Sequence, residues 1–145
     1  ETGGRLFMKN SVKNDANKWY DFAAVDIDSA KIMLSAKKYN MVCFFSHQAV
    51  EKALKAFLVS KGYNPPRVHN LIDFINLCAK FDKSFRQMLP KARILNQFYI
   101  PTRYPFASPS PTIEDPGVDA AEKALLFAQD IFNFCKNLQS NNTQD

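Results

Sequence analysis

The residues best suited to chemistry lie in one short run, His47-Gln48-Ala49-Val50-Glu51-Lys52-Ala53-Leu54-Lys55. His47, Glu51 and Lys55 stand at i, i+4 and i+8, so on a helix they share one face, with Gln48 and Lys52 beside them. Two readings of that face stay open. It is a solvated stripe, with Glu51 ahead of Lys55 in the favourable order for an ion pair contributing about 0.2–0.5 kcal/mol. Or His47, Lys52 and Lys55 donate to a phosphate, and Glu51 orients them. A metal is the poorer use, because His47 and Glu51 supply only part of a zinc site and a third ligand would have to come from His69 or a distant acid. No metal and no cofactor is expected.

Two further positions carry candidate groups. His69 follows Pro65-Pro66-Arg67-Val68 at the start of a helix, where an imidazole caps or satisfies backbone groups. A catalytic role is its alternative. Arg103 lies between Thr102 and Tyr104 in a stretch stiffened by Pro101 and Pro105, which lowers the entropy lost in presenting a side chain. Its planar guanidinium suits bidentate contact with phosphate, and Tyr99 and Tyr104 can stack on a base. The competing reading has Arg103 reach back to Asp26 or Glu51 and pin its own loop.

Four stretches of helical periodicity must position these groups. Trp19, Phe22, Ala23, Asp26, Ala30, Met33 and Leu34 mark the first, capped by Asn14 or Asp15 and ended by a turn at Asn40. The second runs from about Met41 to Lys61 and stops at Gly62, ahead of Asn64-Pro65-Pro66. It is apolar nearly all round, which suggests spare surface for a second copy. The third starts near His69, bends at Pro90 and continues through Ile94, Leu95 and Phe98. The fourth spans about Val118 to Leu138, with Gly117 and Asp119 at its start. Between the last two, Tyr99–Pro116 holds five prolines and reads as a long loop. Long helices with mostly short links predict an all-α, antiparallel up-and-down bundle of four to five helices. We expect a leader and disordered N-terminus over 1–12, the helical domain over 13–138 and a polar disordered tail over 139–145.

Composition narrows the function. Only four glycines occur, Gly3, Gly4, Gly62 and Gly117, so no glycine-rich phosphate loop can be built and any nucleotide must be held by side chains. The net charge is +5 overall, but residues 31–111 hold 13 bases and 3 acids. The basic excess therefore coincides with the candidate groups. Cys43, Cys78 and Cys135 are widely spaced among apolar residues and read as three reduced, buried thiols. No apolar run approaches the roughly 20 residues of a membrane span. A cytoplasmic protein without a membrane segment is the expectation.

The HQAVEKALKA segment, the preceding Trp19…Ala23…Asp26…Ala30 pattern, His69-Asn70-Leu71 and Tyr99-Ile100-Pro101-Thr102-Arg103-Tyr104-Pro105 together resemble the HEPN family, over Trp19 to about Leu138. The resemblance implies the bundle above, a homodimer, and a minimal nucleotidyltransferase partner of the toxin–antitoxin kind. It also implies either nucleotide or RNA binding or metal-independent ribonuclease activity through an Arg-x(4–6)-His motif. That motif is absent as written: Arg67 precedes His69 with one residue between, and Arg86, Arg93 and Arg103 have no histidine after them. The expectation is therefore a dimeric module binding a nucleotide or RNA phosphate through His47, Gln48, Glu51, Lys52, Lys55, Arg103 and Tyr104, and leaning away from an enzyme. The alternatives are a ribonuclease with a non-standard site drawn from His47, His69 and Arg103, and a purely structural dimerisation module.

Overall fold

Small residues at helical spacing decide where the longest helices meet. In the computed structural model, which describes residues 2–99 and 116–142, helix α1 spans Thr2–Ser35 and buries Ala16, Tyr20, Ala23, Ile27 and Ala30 on one stripe. That stripe packs along α2, Tyr39–Ser60, in the most extensive helix pair of the molecule. The helix α1 is continuous through Asn14 and Asp15, so neither caps it, and residues 2–12 of the expected leader belong to the helix.

The turn between them comes earlier than Asn40. Lys37 adopts φ 59°, Lys38 N–H donates to Met33 O at 2.9 Å and Lys37 N–H donates to Leu34 O at 3.0 Å. These are the two bonds of a Schellman turn, here with lysine in the left-handed position that glycine usually fills. Asn40 instead lies in the first turn of α2, its side chain accepting from the Met41 amide. The far end of α2 follows the expected rule. Gly62 takes φ 75°, its amide donates to Val59 O, and the Tyr63 amide donates to Leu58 O.

Helix α2 is the centre of the bundle. Val42, Cys43, Ala49, Val50, Ala53, Leu54, Ala56, Phe57 and Leu58 are buried around its circumference because α1 and the later α-helices among the described residues pack on it. Most of its apolar girth is therefore used inside the chain, while Met41, Phe44, Phe45 and Val59 stay half-buried. Among the described residues the exposed large apolar ones lie elsewhere: Phe22, Val25 and Ile32 on α1, Tyr63 and Val68 after α2, Phe81 further along, and Val118 and Leu126 on the last helix.

Helix α3 covers only Leu71–Ala79; a short 3-10 helix follows at Lys83–Met88, then α4 at Leu89–Asn96. The break falls at Lys80–Asp82 and not at Pro90. Pro90 sits in the first turn of α4, where its missing N–H removes no helical bond. Asp82 starts the 3-10 segment by accepting from the Ser84 amide at 2.9 Å. Phe85, in that segment, is sandwiched between Phe57 of α2 (4.6 Å between ring centroids) and Phe134 (5.1 Å). The last helix, α5, runs from Val118 to Asn142, past the expected end at Leu138, and buries Ala121, Ala124, Leu125, Ala128, Ile131 and Cys135. Gly117 O accepts from the Ala121 amide at its start. The three cysteines are free and buried, and burial pushes the Cys43 thiol up to about 12.

Candidate functional site

The site begins with a cap. Asn70 precedes α3 and its side chain accepts from the Ile72 amide at 2.9 Å, while Asn96 of α4 accepts from the Leu71 amide at 2.8 Å and donates to the Asn70 side chain at 3.3 Å. This clasp fixes the residue just before it, His69. The imidazole of His69 is not itself the cap; it turns toward α2.

There it meets the carboxylate of Glu51. His69 Nδ1 lies 2.7 Å from Glu51 Oε1, and Lys55 Nζ lies 3.2 Å from Glu51 Oε2, so one buried carboxylate accepts from two donors. The i,i+4 pair expected for Glu51 and Lys55 is present, with the Glu51 side chain 4% exposed and that of Lys55 15%. His69 is different: its side chain is 48% exposed. With Nδ1 donating to Glu51, its Nε2 has no hydrogen-bond partner among the described residues. Tyr99 stacks on the imidazole at 4.4 Å between centroids and 17° between planes. A carboxylate on one nitrogen and a phenol ring on the face leave a single oriented nitrogen.

His47 supports this arrangement from beneath. It is fully buried, and its Nε2 lies 3.1 Å from the backbone carbonyl of His69. A carbonyl only accepts, so Nε2 carries the proton. Nδ1 lies 3.2 Å from the side-chain oxygen of Gln48, Oε1. Burial pushes the His47 imidazole below its ordinary value, against the pull of the Glu51 charge and of the hydrogen bonds to Gln48 and His69. His47 thus stays neutral and holds His69 by its backbone. It does not face solvent as a phosphate donor.

Lys52 lies apart from the cluster. Its Nζ is 2.6 Å from Asp26 Oδ2 on α1, a clip between the two main helices. Burial raises the Asp26 carboxyl above its usual range, with the Lys52 hydrogen bond and charge pulling the other way. Asp26 and Glu51 are both engaged, the first by Lys52 and the second by Lys55 and His69. Arg103 and Tyr104 lie outside the described residues. Sequence reasoning misses Asn96 and the stacking of Tyr99 on the imidazole of His69. Twenty-seven and thirty residues separate them from His69, and no local spacing links them. Among the described residues no group of three His, Cys, Asp or Glu is placed to hold a metal ion.

A family model for the HEPN domain matches residues 16–138, and the chain belongs to that family. Solved structures agree with the fold. TT1696 from Thermus thermophilus is 30% identical and superposes with a TM-score of 0.74 over 86% of this chain and 98% of its own. An HEPN domain protein from Thermotoga maritima is 27% identical, with a TM-score of 0.69 over 85% and 98%. ST0689, described as an archaeal HEPN homologue, is 26% identical, with a TM-score of 0.68 over 85% and 96%. Among curated proteins the chain is 26% identical over 124 residues to one from Methanocaldococcus jannaschii named "Putative toxin MJ1304", covering 79% of this chain and 82% of that protein. No helix among the described residues is long and apolar enough to cross a membrane.

Proposed function

We propose that this HEPN protein is an RNA-phosphate-binding module of the toxin–antitoxin kind, acting as a homodimer with a minimal nucleotidyltransferase partner. The observation that carries the reading is the half-exposed His69 side chain, whose Nε2 no described residue engages, oriented by Glu51 and flanked by Lys55. A protonated Nε2 donates to a phosphate oxygen, while Lys55 adds a second positive charge to offset Glu51. Arg103 and Tyr104 follow Tyr99 closely in the chain and are the candidates to complete the same site. The name of the Methanocaldococcus relative supports the toxin class. Val25 and Ile32, one heptad apart and both exposed on α1, support a second copy as the apolar partner.

The test is fluorescence anisotropy of a labelled RNA oligonucleotide over a salt series, with His69→Ala as comparison. Saturable binding that weakens with salt and with the substitution supports the reading. Absence of saturable binding at low salt overturns it.

A second reading is favoured by one specific feature. A carboxylate holding Nδ1 while Nε2 points outward is the arrangement of an oriented general base. On that reading His69 Nε2 takes the proton from a ribose 2′-hydroxyl, whose oxygen bonds to the adjacent phosphorus as the bond to the 5′-oxygen breaks, leaving a 2′,3′-cyclic phosphate and a 5′-oxygen protonated from water, while Arg103 meets the charge developing on the phosphate. Cleavage of RNA in chelator, abolished by His69→Ala and by Arg103→Ala, is the expected result. Cleavage indifferent to both changes comes from a contaminant and removes this reading.

A further inference from the structure

On the other side of Lys55 from Glu51, an open groove of about 550 Å³ lies between α1 and the connection that follows α2. Its lining is neither a plain apolar cleft nor a solvated charged surface. Trp19 and Phe22 meet edge to face at 6.3 Å, and the Phe22 ring is 57% exposed, although it shares the apolar stripe of α1 in the sequence. Lys55 Nζ sits 5.2 Å from the centre of the Trp19 ring. Lys18 and Arg67 line the same groove, both exposed and neither engaged by any described residue, and Asp15 supplies one carboxylate. Pro65 and Pro66 stiffen the wall that carries Arg67.

A half-buried tryptophan edge-on to an exposed phenylalanine, beside cations that no described residue engages, is chemically specific. Exposed rings of this kind gain most from a flat π-face, and the cations require that the ligand be anionic. Asp15 can accept from an exocyclic amine or a ring N–H. A lipid tail would leave the cations and Asp15 without use. A duplex presents no unstacked base to such rings. The volume falls in the range of small-ligand sites.

We propose that this groove takes an unpaired nucleobase of a single RNA strand, whose phosphates then run past Lys18 and Arg67 toward His69. Lys55 joins the two regions physically, since it lines the groove and binds the carboxylate that orients His69. Arg67 and His69 also belong to the same connection, two residues apart. The inference rests on the RNA-binding reading above and adds to it a base subsite and a strand path across the surface.

The chain contains a single tryptophan, Trp19, so fluorescence excited at the red edge, where its five tyrosines do not absorb, reports on the ring that lines this groove. Three ligands serve as probes: a short oligouridylate, an abasic ribose-phosphate strand of equal length, and uridine monophosphate. Saturable quenching by the oligouridylate is expected, with at least about five-fold weaker affinity for the abasic strand, the range of one stacked base. The mononucleotide should quench only at much higher concentration. Phe22→Ala, at an exposed position, should lower oligouridylate affinity by about five-fold or more while leaving the circular dichroism unchanged. Lys18→Glu combined with Arg67→Glu should weaken both strands and flatten the salt dependence. If oligouridylate and abasic strand bind equally and Phe22→Ala is silent while His69→Ala still weakens binding, the groove is overturned and the RNA-binding reading stands. If the mononucleotide binds as tightly as the strand, the strand path is overturned. If no RNA binds at all, both fall.

Discussion

Two ionic clusters lie side by side on α2, and they do different work. Lys52 and Asp26 form a closed pair: one donor, one acceptor, each supplied by a different long helix. Glu51, the neighbouring residue, is open in the opposite sense, since it takes two donors and one of them, His69, keeps a nitrogen that no described residue engages. Both clusters contain a largely buried carboxylate and a lysine, so residue type alone does not separate clip from site. What separates them is the partner. An α1 aspartate ends the chain of hydrogen bonds, whereas a histidine at a loop end passes it outward. A helix face bearing His, Glu and Lys becomes chemically available only when a second segment brings a bifunctional group to it.

The contrast breaks most visibly at Glu51. Glu51→Ala is expected to cost about 3 kcal/mol, because it strands a mostly buried lysine, and to abolish RNA binding; urea unfolding and anisotropy measure the two. A cost under about 1 kcal/mol would place the cluster with ordinary surface pairs. His69→Ala should split the two readouts. Its side chain is half exposed, so stability should fall by about 1 kcal/mol or less, while RNA affinity drops about ten-fold, the effect of one lost charged hydrogen bond.

The clusters also respond to pH with opposite sign. The His47 imidazole titrates below its ordinary 6.5 in the folded chain, so the stability it supports is complete above that value and lost as pH falls through the folded one. The slope is at most about 1.4 kcal/mol per pH unit for one proton, and His47→Gln should flatten it in thermal melts taken between pH 7 and pH 5, a window of about two units. Asp26 behaves in reverse. Its carboxyl is raised, so the native state is favoured below the unfolded value and loses that advantage as pH rises through the folded one. The smallest effect belongs to the clip. Replacing it by an apolar pair, Asp26→Leu with Lys52→Met, should change stability by no more than about 1 kcal/mol in either direction. RNA affinity should stay unchanged, and a loss would show that the clip also shapes the site.

The bundle is legible in the sequence because its signals are local. Alanines at three- and four-residue steps, Gly62 ahead of Pro65-Pro66 and Asn70 before an apolar run all encode their structures within a turn or two. The site is legible only on one side. Spacing puts His47, Glu51 and Lys55 on a common face, but it is silent on which of them is buried and which partner each takes. His47 and Lys52 read as donors to a ligand, yet the first holds a backbone carbonyl and the second holds α1. That sorting depends on contacts made across 18 to 26 residues of chain, between elements whose docking no periodicity describes. The break after Ala79 escapes for a simpler reason: Pro90 is the more conspicuous helix breaker, yet at a helix start it breaks nothing.

The connection from α2 to α3 is fastened only at its ends. At one end the Tyr63 amide is held by Leu58 O, and at the other the Leu71 amide is held by the Asn96 side chain. Between them no amide from Asn64 to Asn70 donates to a described residue. Deuterium should therefore enter the middle of this segment quickly and its two boundaries slowly. Arg67 falls in this fast stretch, and so does the amide of His69, whose carbonyl alone is held, by His47. The imidazole of His69 thus stands at the anchored end of a segment whose interior amides are held by no described residue.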